Sequence, residues 1–268
     1  MKPKLLIVGG TREAAMLASA LVASGACEIC TSLVGRTKSP SDIAGRVRVG
    51  GFGGVEGLLK YLRHEGFDAV VDATHPYATI MSSHAADACR RATLPRVQLW
   101  RRAWVAHADD QWTGVPSLTA AAAWLDQMNL PPNTTVFLST GSKDLQAFQA
   151  LTHLRFLVRT VDPQPIESNS SCPSSNGPTH PGNLINAEMI VGKGPFELAE
   201  EHALLQQYAV GVLVTKNSGG KATYAKLLAA RNLRLPVIMI ARPPAEVGPI
   251  VHSVDEALAW VREIFASR

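Results

Sequence analysis

The apolar positions fall into short unbroken runs rather than long alternating stretches. Lys4-Leu5-Leu6-Ile7-Val8 is dominated by branched aliphatics, enters Gly9-Gly10, and is followed by a helical pattern from Glu13 to Gly25. A strand without polar alternation is one covered on both faces, as in a parallel sheet. Gly25 suits the helix C-cap. The same rhythm predicts strands at Glu28 to Val34, Arg46 to Val49, Phe67 to Ala73 and Arg96 to Trp100, with helices over Val55 to His64 and Ile80 to Ala92. Strands alternating with helices imply a parallel sheet that binds ligands at the carboxyl ends of its strands.

Around Arg101 to Trp104 the rhythm breaks, and residues 105–116 read as polar and irregular. A boundary there divides the chain into domains 1–103 and 104–268. The second alternating run has helices at Leu118 to Met128, Glu197 to Tyr208 and Lys221 to Arg231. A further helix is expected after Lys143. Its strands are Thr135 to Ser139, Arg155 to Val161, Ala187 to Val191, Gly211 to Thr215 and Pro236 to Ile240, the last clear one. Ser168 to Asn183, rich in Ser, Pro, Asn and Gly, reads as a mobile loop, a tolerated insertion in preference to a lid. Val115-x-Ser117-Leu118-x-x-Ala121-x-x-Trp124 echoes Val251-x-Ser253-Val254-x-x-Ala257-x-x-Trp260. Each looks like a strand end, a Ser N-cap and a helix that packs its tryptophan. The expected fold is α/β, two Rossmann-like domains with parallel sheets flanked by helices and an active site in the interdomain cleft.

The candidate chemistry lies at the strand ends. Gly9-Gly10 allows backbone to approach a diphosphate bound by the following helix's first amides, and Thr11 can add a hydroxyl donor. The full G-x-G-x-x-G fingerprint is absent. After the second strand, where NAD-preferring domains place a carboxylate, the chain carries Gly35-Arg36-Thr37-Lys38, which suits the 2′-phosphate of NADP. Gly51-Phe52-Gly53 and Thr74-His75-Pro76-Tyr77 fall at the same edge. Thr74 and Tyr77 suit a nicotinamide amide or ribose, and His75 is either a general acid or a turn residue.

Three polar turns of the second half share one form: Thr140-Gly141-Ser142-Lys143, Gly194-Pro195-Phe196 and Lys216-Asn217-Ser218-Gly219. If the strands are parallel, these turns gather ammonium groups, hydroxyls and helix starts suited to carboxylates or phosphates. Val136 stands where a P-loop needs its first glycine, so ATP use is not expected. There is no Tyr-x-x-x-Lys pair, no Ser/His/Asp signature and no metal-ligand cluster.

Composition narrows the classes. Of 268 residues, 46% are hydrophobic and 18% charged, enough for a sizeable core, and the net charge is +4. The isoelectric point near 9.0 comes from dispersed Lys and Arg, which fits an anionic small molecule better than nucleic acid. No apolar run reaches a membrane span and the opening is too short for a signal peptide, so a cytoplasmic protein is expected. Cys27, Cys30, Cys89 and Cys172 read as free thiols.

Taken in order, Gly9-Gly10-Thr11-x-Glu13, Gly35-Arg36-Thr37, Gly51-x-Gly53-Gly54, Asp72-Ala73-Thr74-His75-Pro76-Tyr77-Ala78, Thr140-Gly141-x-Lys143, Gly194-Pro195-Phe196 and Lys216-Asn217-Ser218-Gly219-Gly220 resemble the precorrin-6A reductases of cobalamin biosynthesis and their cobalt-precorrin-6A counterparts. The resemblance covers nearly the whole chain except Ser168 to Asn183. It implies an NADPH-dependent reductase of one carbon–carbon double bond in a tetrapyrrole polycarboxylate. It makes Lys216 and His75 candidate catalytic residues. Gly9, Gly10, Thr11, Arg12, Glu13, Arg36, Thr37, Gly51, Phe52, Gly53, Thr74, His75, Pro76 and Tyr77 become the cofactor set. Thr140, Gly141, Lys143, Gly194, Pro195, Phe196, Lys216, Asn217, Ser218 and Gly219 become the substrate set. The rival readings are a non-catalytic dinucleotide sensor and a nucleotide-sugar reductase or epimerase. Oligomeric state is left open.

Overall fold

The computed structural model describes residues 2–35, 43–142, 145–162, 184 and 186–266. The chain forms two compact units, residues 1–102 with 243–268, and 103–242.

The first unit begins with β1 (Lys4–Val8), α1 (Arg12–Ser24), β2 (Glu28–Leu33), β3 (Arg46–Val49), α2 (Gly54–Glu65), β4 (Ala69–Asp72), α3 (Thr79–Ala92) and β5 (Arg96–Leu99). The second contains β6 (Gln111–Val115), α4 (Leu118–Gln127), β7 (Thr135–Ser139), a 3₁₀ turn (Leu145–Phe148), β8 (Arg155–Thr160), β9 (Ala187–Val191), α5 (Leu198–Gln207), β10 (Val210–Lys216), α6 (Ala225–Asn232) and β11 (Pro236–Ile240). The chain then adds β12 (Ile250–Val251) and α7 (Val254–Ala266) to the first unit.

Two six-stranded parallel sheets result, ordered β12-β5-β4-β1-β2-β3 and β6-β11-β10-β7-β8-β9. The apolar runs are explained by burial on both faces. Leu5, Ile7, Val71 and Val97 pack with α1 and α7, while Leu6, Val8 and Val70 pack with α2 and α3. Cys27 belongs to the first of these clusters and Cys30 to the second, so the sheet separates the C-x-x-C pair. Cys27, Cys30 and Cys89 are free thiols, and Cys172 lies outside the described residues. In the second unit Phe137, Leu157, Leu213 and Val237 meet Leu205, Leu227 and Ala230 of α5 and α6. Among the described residues no helix is long and apolar enough to cross a membrane.

Several sequence expectations change. The irregular stretch 105–116 contains β6, paired in parallel with β11 from Pro236↔Gln111 to Ile240↔Val115. Its entry is held by Asp110, whose two carboxylate oxygens accept from Arg231 Nε and Nη2 at 2.8 and 3.0 Å. The segment from Pro243 belongs to the first unit, because β12 pairs with β5 rather than extending the second sheet. The element near Lys143 is a 3₁₀ turn, and α6 starts at Ala225 rather than Lys221. Trp124 is 42% exposed rather than packed, whereas Trp260 packs against the core beside α1. Ser117 and Ser253 act as N-caps, accepting from Ala120 N and Glu256 N at 3.1 Å each. The Ser168 to Asn183 stretch lies outside the described residues.

Gly57 lies within α2, where a Cβ would collide with the Phe52 carbonyl oxygen. Gly→Ala in a helix normally stabilises. Gly57→Ala is expected to do the reverse, costing about 1–3 kcal/mol and lowering the melting temperature by several degrees. An unchanged or higher melting temperature would refute this packing constraint.

Candidate functional site

In the first sheet the chain leaves β1 toward β2 on one side and pairs with β4 on the other, which creates a crevice at the strands' carboxyl ends. Gly9 lines it with φ at +121°. A Cβ there would lie 2.5 Å from the Ala73 carbonyl oxygen, so only glycine lets the two backbones meet. Gly10 follows, close to the Leu33 side chain. Thr11 is the N-cap of α1: its hydroxyl accepts from Ala14 N at 3.1 Å and donates to Ala73 O at 2.9 Å. That proton therefore ties two turns together. Arg12 is exposed at the first helical position, and Glu13 pairs with Arg101 at 2.8 Å.

Beside this crevice, Arg48 at the end of β3 organises the glycine-rich turn. Its guanidinium donates to Gly50 O at 2.5 Å and Gly51 O at 2.8 Å and lies 4.0 Å from the Phe52 ring centre. Gly53 is left-handed at φ +78° and precedes α2. Sequence reasoning did not single out Arg48. The signal available was a cation on a short edge strand immediately before a glycine run. Arg36 and Thr37 lie outside the described residues.

The turn after β4 carries Thr74, His75, Pro76 and Tyr77. The Thr74 hydroxyl is within 2.8 Å of Ser82 Oγ and the residue is 8% exposed, so its side chain faces the protein. Pro76 is buried and His75 exposed. His75 Nδ1 accepts from Tyr77 N at 3.3 Å, and the two rings lie 5.7 Å apart. An accepting Nδ1 places the proton of the neutral ring on Nε2.

The second sheet has its own crevice between β7 and β10. Lys216 Nζ crosses it to donate to Thr140 O at 3.1 Å. Thr140 is 7% exposed, and its Oγ1 has no hydrogen-bond partner among the described residues. Gly141 continues the turn at φ +87°, while Lys143 lies outside the described residues. Ser218 N donates to Lys216 O at 2.7 Å, and Gly219 and Gly220 are both left-handed.

The Asn217 amide is engaged by the protein's own backbone. Its Oδ1 accepts from Trp104 N at 2.8 Å and its Nδ2 donates to Trp104 O at 3.0 Å, like a neighbouring strand. Gly194-Pro195-Phe196 docks beside this loop through Phe196 N donating to Ala222 O at 3.1 Å. The Phe196 ring lies 4.2 Å from the Arg159 guanidinium, which pairs with buried Glu201 at 2.6 Å. Phe196 is thereby a cover over a buried ion pair. Among the described residues no group of three or more His, Cys, Asp or Glu side chains could hold a metal.

The family model for the precorrin-6x reductases CbiJ/CobK matches residues 4–262. The chain belongs to that family. It is 41% identical over 261 residues to the precorrin-6A reductase of Rhodococcus erythropolis, covering 96% of this chain and 97% of that one. It is 30% identical over 208 residues to the cobalt-precorrin-6A reductase of Priestia megaterium, covering 76% of each. The solved structure of a CobK precorrin-6A reductase superimposes with a TM-score of 0.86 at 37% identity, covering 98% of this chain and 97% of that one. As a reductase of this family, the chain calls for a dinucleotide cofactor, and the first crevice has the backbone form that suits one.

The position of Asn217 separates structure from ligand binding. Asn217→Ala removes both bonds to the Trp104 backbone and leaves part-buried donors and acceptors unmatched, worth about 1–3 kcal/mol. Thermal denaturation should show a clear drop in melting temperature. An unchanged melting temperature with a raised KM would instead return Asn217 to the ligand.

Proposed function

We propose that this reductase family member uses NADPH to saturate one carbon–carbon double bond of the tetrapyrrole precorrin-6A. The observation that carries the reading is the Gly9 turn packed on Ala73 at the strand-order reversal of the first sheet, opening directly into the first turn of α1. The turn fits a dinucleotide diphosphate, since it brings the two strand ends together beside the first helical amides, which supply donors. When bound, NADPH supplies the hydride.

The chain's own residues bind and orient. Gly9, Gly10 and the amides following Thr11 receive the diphosphate, while Arg36 and Thr37 receive the 2′-phosphate. The Gly51-Phe52-Gly53 turn, braced by Arg48, flanks the adenosine side. His75 and Tyr77, displayed by the turn after β4, take the nicotinamide side, and the proton for the carbon that does not receive hydride comes from water. Thr140, Gly141, Lys143, Lys216 and Ser218 receive the acetate and propionate carboxylates of the macrocycle. A charge-assisted contact of this kind is worth about 1.5–3 kcal/mol, so a few dispersed cations suffice. The metal-free macrocycle is favoured over its cobalt form, because the precorrin-6A relative is 41% identical over 96% of the chain and the cobalt-precorrin-6A relative 30% over 76%.

Mixing the protein with NADPH and precorrin-6A and following nicotinamide absorbance with the pigment spectrum tests the reading directly. Stoichiometric loss of both signals is expected, and binding without consumption would replace the reductase with a sensor. Arg36→Ala should raise KM for NADPH about tenfold to a hundredfold while KM for NADH changes little, and equal effects would remove the 2′-phosphate role. Lys216→Ala should weaken the tetrapyrrole and spare NADPH affinity. A large loss of NADPH affinity would relocate the substrate site.

A further inference from the structure

Asp72 closes β4 with its side chain fully buried, and its role is distinct from that of the displayed residues that follow it. Its Oδ1 accepts from the backbone N–H of Thr74 at 3.2 Å, closing the turn that presents His75. Its Oδ2 faces Arg96 Nη1 at 3.7 Å, with side-chain exposures of 0% and 6%. Neither of those two atoms has a hydrogen-bond partner among the described residues. A buried pair so loosely engaged is a poor stabilising device, since apolar replacements of such pairs are often neutral or stabilising. The contact it makes well is the one to Thr74.

Arg96 extends the same network to the far end of the sequence. Its Nη2 donates to Val247 O at 2.9 Å. Next to it on the same strand, Gln98 Oε1 accepts from Glu246 N at 3.1 Å. The segment leading into β12 is thus fastened to the strand that neighbours β4.

We propose that Asp72 is a positioning residue for cofactor binding, whose carboxylate, neutralised by Arg96, sets the Thr74–Tyr77 turn in the shape that displays His75. This rests on the reading of that turn as the nicotinamide side. Carboxylate geometry matters here more than charge, because the Thr74 amide needs a fixed acceptor and the Arg96 cation needs only a counter-charge.

Two double variants separate the roles. Asp72→Asn with Arg96→Gln removes both charges and keeps an acceptor for Thr74, whereas Asp72→Leu with Arg96→Met removes the acceptor as well. The amide pair should keep KM for NADPH within about twofold of wild type, and the apolar pair should raise it about tenfold or more with KM for precorrin-6A unchanged. An apolar pair that folds and keeps its NADPH KM overturns the proposal, as does an amide pair that loses it equally. Backbone amide exchange in the unmodified protein decides the matter even if the apolar pair does not fold. Slow exchange at Thr74 supports a held turn, and exchange at the unprotected rate overturns it. Adding NADPH should slow exchange across Thr74 to Tyr77. If NADPH binds and leaves that turn unaffected, the nicotinamide assignment fails first, which is a different result from a protected turn with an indifferent apolar pair.

Discussion

Two backbones meet at the centre of the first sheet, where a Cβ at residue 9 would stand 2.5 Å from the Ala73 carbonyl oxygen. Most of the site geometry follows from that approach. It brings the turn after β1 against the turn after β4, so that Thr11 can cap α1 and bond Ala73 O with one hydroxyl. Of the first-turn amides of α1, Ala14 N is taken by the Thr11 hydroxyl, and those of Arg12 and Glu13 are not engaged by the cap. The requirement is steric before it is chemical. Any L-residue at position 9 would also have to adopt φ near +121°, a conformation side chains rarely accept.

The central strands were legible because burial on both faces leaves an unbroken aliphatic run, as at Leu5 to Val8. The edge strands Arg46–Val49 and Ala187–Val191 were legible too, whereas the strand at the opposite edge of each sheet was not, because a strand positioned by one neighbour need not be apolar along its length. Gln111–Val115 and Ile250–Val251 are the sixth strands of their sheets, and only their ends at Val115 and Val251 were read as strand. The echo between Val115 to Trp124 and Val251 to Trp260 marks the same unit in each sheet: an edge strand, a serine cap and a covering helix. Counting β6 after β11 makes the two strand orders identical. The second sheet therefore receives its sixth strand first, while the first receives its own only after the second unit is complete. That exchange of connections is why a boundary read linearly at residue 103 assigned the C-terminal helix to the wrong sheet.

At the site, motifs marked places more reliably than atoms. The turns carrying Gly9, Phe52, Thr74 and Lys216 do fall at carboxyl ends of parallel strands. Yet the Thr11 hydroxyl, the Thr74 hydroxyl and the Asn217 amide are engaged by the protein itself. Small polar side chains beside a turn satisfy backbone first, because an unmatched buried amide costs more than a bond exchanged with water gains. Arg48 escaped notice for the converse reason. A cation on an edge strand reads as solvated until its aromatic partner and the two carbonyls of the glycine turn are seen around it.

The two crevices share a topology and differ in the source of their positive charge. In the first, β1 runs within three residues into a thirteen-residue α-helix, so backbone amides and the helix field can serve an anion without a fixed cation. In the second, the element after β7 is a four-residue 3₁₀ turn, which has little aligned dipole to offer. There the cation comes from a side chain, Lys216, whose ammonium already lies against the Thr140 carbonyl. Backbone donors suit a diphosphate that must sit in one place, because they cannot move. Long cationic side chains suit carboxylates spread around a macrocycle, because each can follow its own group. Under the proposed function, a duplicated sheet order would serve unlike ligands through the element that follows the first central strand.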